Sequence, residues 1–307
     1  MRYKESFEQL GNYTIYMQQN LKQFLKRFPQ LVKYKRDLYG HMHRYREWWY
    51  SHDFTGQISA TTSLGYRLTT PKYTANRLML ENRFEEAETQ ALHKHILECD
   101  VFVDIGSNIG FYACMAGAAN KQVVAFEPQP RNLRFLYKNI QDNHITRIEC
   151  YPIGLAAQPG LLTLYGASGP SASLLTGWAG YSDQFKQIIP VNTLDNILGD
   201  RFVGKQLVIK IDVEGAEYGV MQGALKTINL SPKPIWFLEI ALSEFHPDGI
   251  NPHYQDIFQF FWDAGYTAMM ADSQQQVVTP SMVKEWIKPN SDQKPETFNY
   301  IFTPNRK

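Results

Sequence analysis

The stretch VFVDIGSNIGFY, residues 101–112, reads as a buried strand that breaks into a glycine turn, and VVAFEPQPRNL, residues 123–133, reads as a second strand ending on a glutamate. In the first, Gly106 and Gly110 let the main chain turn tightly at the strand end, so the edge of a nucleoside-like ligand reaches backbone that a side chain would block. In the second, Glu127 falls where an acidic side chain accepts hydrogen bonds from both hydroxyls of a ribose. Together the two turns describe a site for a ribose-bearing cofactor.

Two cofactor classes compete for it. A nicotinamide dinucleotide asks for GxGxxG at a helix N-terminus to receive its pyrophosphate. Here the spacing is GxxxG, with Asn108 where the middle glycine would stand. Asp104, just ahead of the first glycine, is poorly placed beside a pyrophosphate and well placed to attract an amino group. S-adenosylmethionine (SAM) has a ribose and an amino group and no phosphate, and is the favoured ligand.

Outward from these strands the chain alternates. IGFYACMAGAA reads as a helix, NLRFLYKNIQDN as another with Leu133, Leu136, Tyr137 and Ile140 on one face, and IECYPIGLA, LVIKIDVEG and PIWFLEI as three further strands, the last two joined by the helix AEYGVMQGALKTI. Such alternation implies crossover units and an α/β fold with a mostly parallel sheet, whose ligands bind at the carboxyl ends of the strands. Upstream, a helical pattern runs from Ala75, and ISATTSLGYRLTT reads as short strands or a hairpin. The expected organisation is an N-terminal extension, residues 1–75, and a main domain, residues 76–307.

The succession VFVDIGSNIGFY, VVAFEPQPRNLRFLYKNI, IPVNTLDNIL, LVIKIDVEGAEYGVMQGA and WFLEI resembles the FkbM-type family of SAM-dependent methyltransferases. The resemblance runs from about residue 80 to the C-terminus, and K-x-D-x-E-G-A-E is its most specific part. It implies a class I methyltransferase fold, a Rossmann-like seven-stranded sheet flanked by helices with a reversed terminal hairpin, here YTAMMAD and FNYIFTP. It also implies methyl transfer to a hydroxyl of a sugar, glycan or secondary metabolite, with S-adenosylhomocysteine as the other product. By position, Asp104, Gly106 and Gly110 match the first motif, Glu127 the ribose acid, and Lys210, Asp212, Glu214 and Glu217 the charged segment. Ser107 stands where the family often has alanine, and Ser107, Asn108 and Pro128 complete the expected cofactor contacts. The adenine edge is expected around Ile153 and Gly154.

Methyl transfer from a sulfonium is an in-line displacement in which alignment and exclusion of water dominate. A sugar hydroxyl attacks once its proton is taken, which calls for a carboxylate or histidine raised in pKa by burial. Asp212, at the end of the fourth strand, is the first candidate. Period-two alternation places Lys210, Asp212 and Glu214 on one face if the strand continues that far. The competing reading is a charged pair that pins the following helix. Mg2+ on Asp212 and Glu214 lacks a third ligand, so no metal is assigned. Beyond the fifth strand, EIALSEFHPDGINPHYQD offers Glu239, Glu244, His246 and His253, of which His246 is the alternative base. Residues 166–185, with Trp178 and Tyr181, read either as a lid over the acceptor or as a surface loop with aromatic anchors.

Composition closes off other classes. Across 307 residues Lys and Arg number 31 and Asp and Glu 30, but residues 1–50 hold ten basic against four acidic residues, which leaves an acidic main domain. A polyanion reader would carry a phosphate-tracking surface around its site, so a nucleic-acid ribose methyltransferase is the second choice and a non-catalytic SAM-binding adaptor the third. Cys99, Cys114 and Cys150 form an odd set without CxxC, which points to buried thiols in a reducing compartment. No run approaches the roughly 18 apolar residues of a membrane span, and the expectation is a soluble cytoplasmic protein. The stripe Leu31, Tyr34, Leu38, Met42, Tyr45 and Trp49 is expected to pack on the main domain or on a second subunit of a homo-oligomer. Peripheral membrane contact through the basic face is the rival.

Overall fold

The structure, a computed structural model, describes residues 56–71, 78–81, 83–166, 171–180, 183, 186–247, 249–272, 274–289 and 291–305. The chain divides into two compact units, Met1–Arg46 and Glu47–Lys307. The apolar stripe, its basic face, Ala75 and Tyr181 all lie outside the described residues.

Strands β1 (Gln57–Thr61) and β2 (Arg67–Pro71) form the antiparallel hairpin that the Thr- and Ser-rich segment suggests. The helical pattern that follows is broken: helix α1 (Glu86–Glu98) begins only after Glu85, whose φ of 42° lies in the left-handed region. Next come β3 (Val101–Ile105), α2 (Phe111–Ala118), β4 (Gln122–Phe126), α3 (Pro130–Asp142) and β5 (Ile148–Tyr151). On α3, Leu133, Phe135, Leu136 and Asn139 are buried, whereas Tyr137, expected on that face, is 43% exposed. Asn139 is fully buried because its amide is fully used. It donates to the carbonyls of Thr69 and Ile109 and accepts from the Thr69 N–H, tying the hairpin to the glycine turn.

IECYPIGLA is not one strand. After Pro152 the chain leaves the main sheet for a small one, in which β6 (Gly154–Leu155) and β7 (Gly160–Tyr165) flank β8 (Lys186–Asn192). The order then runs α4 (Leu194–Leu198), β9 (Leu207–Ile211), α5 (Glu217–Gln222), β10 (Ile235–Glu239), α6 (Tyr254–Asp263), β11 (Tyr266–Met270), β12 (Val277–Val278), α7 (Pro280–Trp286) and β13 (Asn299–Pro304).

The main sheet has the order β12-β11-β13-β10-β9-β3-β4-β5. Strands β5, β4, β3, β9 and β10 are parallel, and β13 runs antiparallel between β10 and β11. This is the class I methyltransferase arrangement with its reversed terminal hairpin, extended by the two-residue edge strand β12. Both faces are covered, as in other parallel sheets. Val101, Val103, Ile105, Leu207, Ile209 and Ile211 pack into one apolar cluster, while Phe102, Val208 and Phe237 belong to the other. On that second face, alternation brings Asp104, Lys210 and Glu239 to successive strand ends, with Asp104 opposite Lys210 in register. Strand order reverses between β3 and β9, the switch point at which such sheets open a crevice. Cys99 and Cys114 are buried, Cys150 is half-buried, and all three are free thiols. Among the described residues no helix is long and apolar enough to cross a membrane.

Candidate active site

At the switch point three strand ends are laced by main chain. The N–H groups of Gly106 and Ser107 donate to the Phe126 carbonyl at 3.0 and 2.9 Å, and the Asp212 N–H donates to the Ile105 carbonyl at 3.0 Å. Gly106 has φ of +85°, and a Cβ there would sit 1.8 Å from the Asp212 carbonyl oxygen. The glycine is therefore demanded by the neighbouring turn, a reason different from ligand approach. Gly110, at φ +88°, caps α2, and a Cβ on it would meet Leu136 at 2.5 Å.

Glu127 is 5% exposed and accepts from the Asn108 and Gln129 N–H groups, each at 2.8 Å, with the Asn132 side chain at 3.3 Å. Burial pushes its pKa up to about 7, and the two backbone donors pull the other way. Each carboxylate oxygen has two lone pairs; Oε1 already accepts from Gln129 and Asn132, and Oε2, which accepts only from Asn108, keeps capacity for a further donor.

Glu127 faces a cleft of about 710 Å³, counting space open to solvent. The cleft brings together Gly106, Asn108, Glu127, Pro128, Ile153, Gly154, Asp212 and Glu214 from the residues singled out in sequence. Its apolar wall is one that sequence reasoning missed: Leu155, Leu164, Leu174 and Ile189, mostly from the small sheet. The alternation in GLLTLY and KQIIPVN was the available signal. Asp104, Ser107, Gly110, Lys210 and His246 are not among the lining residues. Asp104 is 1% exposed, and neither carboxylate oxygen has a hydrogen-bond partner. Burial pushes its pKa up to about 6 against the pull of the Lys210 ammonium.

The second turn separates residues expected together. Strand β9 ends at Ile211, so Lys210 and Asp212 stay paired at 2.7 Å while Glu214, at φ 55°, turns away. Glu214 accepts from the Trp178 indole N–H at 2.7 Å, and its carbonyl accepts from the Ser173 hydroxyl at 2.5 Å. Burial, then the nearby Asp212 charge, pushes Glu214 up to about 8. Glu217, the first residue of α5, accepts from the N–H of Gly215 in the preceding turn at 2.9 Å. Lys210 is buried, which disfavours an ammonium, but Asp212 and Asp104 outweigh that and raise its pKa. His246 is half-buried and lies edge-on to Trp178, ring centres 6.2 Å apart. Among the described residues no group of three or more His, Cys, Asp or Glu side chains is arranged to hold a metal. Left-handed non-glycine residues gather here: Asn108, Glu214 and Glu85, with Ala179 and Phe245 beside Trp178. Such conformations concentrate at functional sites.

Residues 104–268, more than half the chain, match the family model described as the methyltransferase FkbM domain. This chain is an FkbM-family methyltransferase. It is 31% identical over 150 residues to the hexuronic acid methyltransferase AglP of Haloferax volcanii, a match covering 48% of this chain and 60% of that relative. Among solved structures, a precorrin-6y C5,15-methyltransferase from Geobacter metallireducens GS-15 overlaps with a TM-score of 0.38 at 13% identity, covering 72% of this chain and 88% of that one. An rRNA methylase from Streptococcus thermophilus overlaps with a TM-score of 0.36 at 12% identity, covering 68% and 90%. Membership implies SAM as the methyl donor of this FkbM methyltransferase. The chain's own residues fit that ligand: a buried carboxylate with a free lone pair on one oxygen opens onto an apolar-walled cleft.

Proposed function

We propose that this protein is a SAM-dependent O-methyltransferase that methylates a hydroxyl of a sugar or glycan, with Asp212 as the group that takes the acceptor proton. The observation that carries this reading is the position of Asp212. It lines the cofactor cleft at the switch point, its main chain is locked to Ile105, and one carboxylate oxygen is fixed by a buried ammonium. The likeness to a hexuronic acid methyltransferase supports a sugar as the acceptor and carries nothing about its charge. The carboxylates gathered at the site weigh against a polyanionic acceptor such as RNA.

When bound, SAM supplies an electrophilic methyl on a sulfonium. Glu127 would hold its ribose, and Ile153, Leu155 and Ile189 its base, at the apolar wall. Trp178, bonded to Glu214, helps to exclude water, which strengthens every electrostatic interaction inside. Asp212 accepts the hydroxyl proton and passes it to solvent once the acceptor oxygen carries the methyl group. Lys210 keeps the carboxylate from turning away.

Asp212→Asn preserves shape and removes the charge. Turnover should fall by roughly 10²-fold or more while S-adenosylhomocysteine still binds in calorimetry. Near-wild-type turnover in this variant would make Asp212 structural and move the search to Glu239 and His246.

A further inference from the structure

A second, narrower cavity of about 280 Å³, open space included, lies on the other side of the Lys210–Asp212 pair. Asp212 lines the cofactor cleft and Lys210 lines this cavity. Its polar lining residues are Glu85, Glu88, Tyr112, Lys210, Glu239, Asn299 and Tyr300. Resting on the reading above, we propose that this cavity receives the acceptor, and that it selects uncharged hydroxylated sugars over sugars that carry a carboxylate.

The argument is one of charge and hydrogen-bond type. Lys210 is the one cationic side chain among the described residues lining the cavity. Its ammonium is committed to Asp212 at 2.7 Å and lies 4.8 Å from the centre of the Tyr112 ring. Next to it in register stands Asp104, buried and without a hydrogen-bond partner, a further anion that the same ammonium must balance. An acceptor carboxylate brought here would find no free cation, and a buried anion without a partner is costly. A sugar hydroxyl, in contrast, both donates and accepts, so it pairs with a carboxyl group in either protonation state. Glu85 is held towards the cavity from a left-handed backbone, with its carboxylate 3.3 Å from the Tyr112 hydroxyl. Burial, then the charges of Asp212, Glu214 and Glu85, raise the pKa of Glu239. The cavity's enclosed part has room for about one water, the size of a single acceptor hydroxyl.

The test uses the full chain, labelled SAM and one oligosaccharide pool rich in uronic acids, assayed before and after chemical reduction of its carboxyls to primary alcohols. Ring shape is kept, the charge is lost and each carboxyl becomes a primary hydroxyl, so the methylated position is mapped and label on that new hydroxyl is subtracted. Label transfer should rise at least tenfold on reduction, into products stable to alkali. Equal transfer, or a fall on reduction, overturns charge selection while leaving methyl transfer to sugars intact. No label in either pool, with S-adenosylhomocysteine binding intact, overturns the sugar reading itself and this inference with it. Glu239→Gln should narrow the ratio between the pools at least threefold. Should that variant fail to fold, Glu88→Gln carries the same expectation, and an unchanged ratio in a folded variant counts against the proposal.

Discussion

The two cavities on either side of the Lys210–Asp212 pair are built on opposite plans. In the larger cleft, the one proposed for the cofactor, the buried carboxylate of Glu127 is met by two backbone N–H groups and an amide, and the rest of the lining includes an apolar wall. In the second cavity Glu85, Glu88 and Glu239 stand around one ammonium that is already paired. The first plan is a preformed socket, with its hydrogen bonds largely fixed before any ligand arrives. The second leaves acceptor capacity unspent, as a site must if a ligand's hydroxyls are to supply the donors. A methyl transfer needs both, since the cofactor is the same in every turnover while discrimination falls on the acceptor.

The harshest way to break this division is at the residue on which the strand ends close. Gly106→Ala places a methyl 1.8 Å from the Asp212 carbonyl, at a φ that other residues rarely adopt. The ends of β3 and β9 must move apart, disturbing the cleft and the Lys210–Asp212 pair together. Urea melts should show a loss of more than about 3 kcal/mol, with no measurable S-adenosylhomocysteine binding. Wild-type stability and affinity would mean that the turn is not the common support of the two cavities.

Glu127→Ala should strike the cleft alone. Each charge-assisted bond lost to the ribose is worth about 1.5–3 kcal/mol, so affinity for S-adenosylhomocysteine should drop by at least roughly tenfold in calorimetry. The preference between neutral and acidic acceptors at saturating cofactor should stay as it was. A changed acceptor preference with unchanged cofactor affinity would exchange the roles of the two cavities.

How much of this was legible in the sequence follows the same division. The cleft's floor was readable because it is made of local turns. Gly106, Asn108, Glu127 and Pro128 announce themselves through glycine spacing and strand-end acids, and β3, β4 and β9 through continuous apolar runs. The wall was not, because Leu164 and Ile189 matter only through the pairing of β7 with β8, and no spacing encodes the separate small sheet that results. The second cavity was harder still. Glu85, Tyr112, Lys210, Glu239 and Asn299 come from five places along the chain and meet only through strand register and the packing of α1 and α2. Asp104 shows the limit from the other side. Its place ahead of the first glycine was right, but period-two alternation puts it on the face of Lys210, buried away from the cleft lining.

The gentlest probe sits in the first cleft alone, at Glu214, which lines it and accepts from the Trp178 indole N–H. Burial raises its pKa from 4.5 to about 8 in the fold. Between those values the folded chain holds a proton that the unfolded chain has released, so the unfolded state binds fewer protons and stability falls as pH rises. Glu214→Gln cannot ionise, and its side-chain oxygen still accepts from Trp178, so this part of the fall should vanish. Glu85, Glu127 and Glu217 are each raised to about 7 and contribute their own slope below that pH. The comparison is therefore cleanest between about pH 7 and pH 8.5. There the variant should melt higher than the wild type, by about 2–4 °C for each kcal/mol of relieved burial cost. The two curves should converge near pH 4.5, where both side chains are neutral. Parallel curves over the whole range would mean that the Glu214 carboxylate is solvated in the folded state and that the Trp178 contact does not close it off from water.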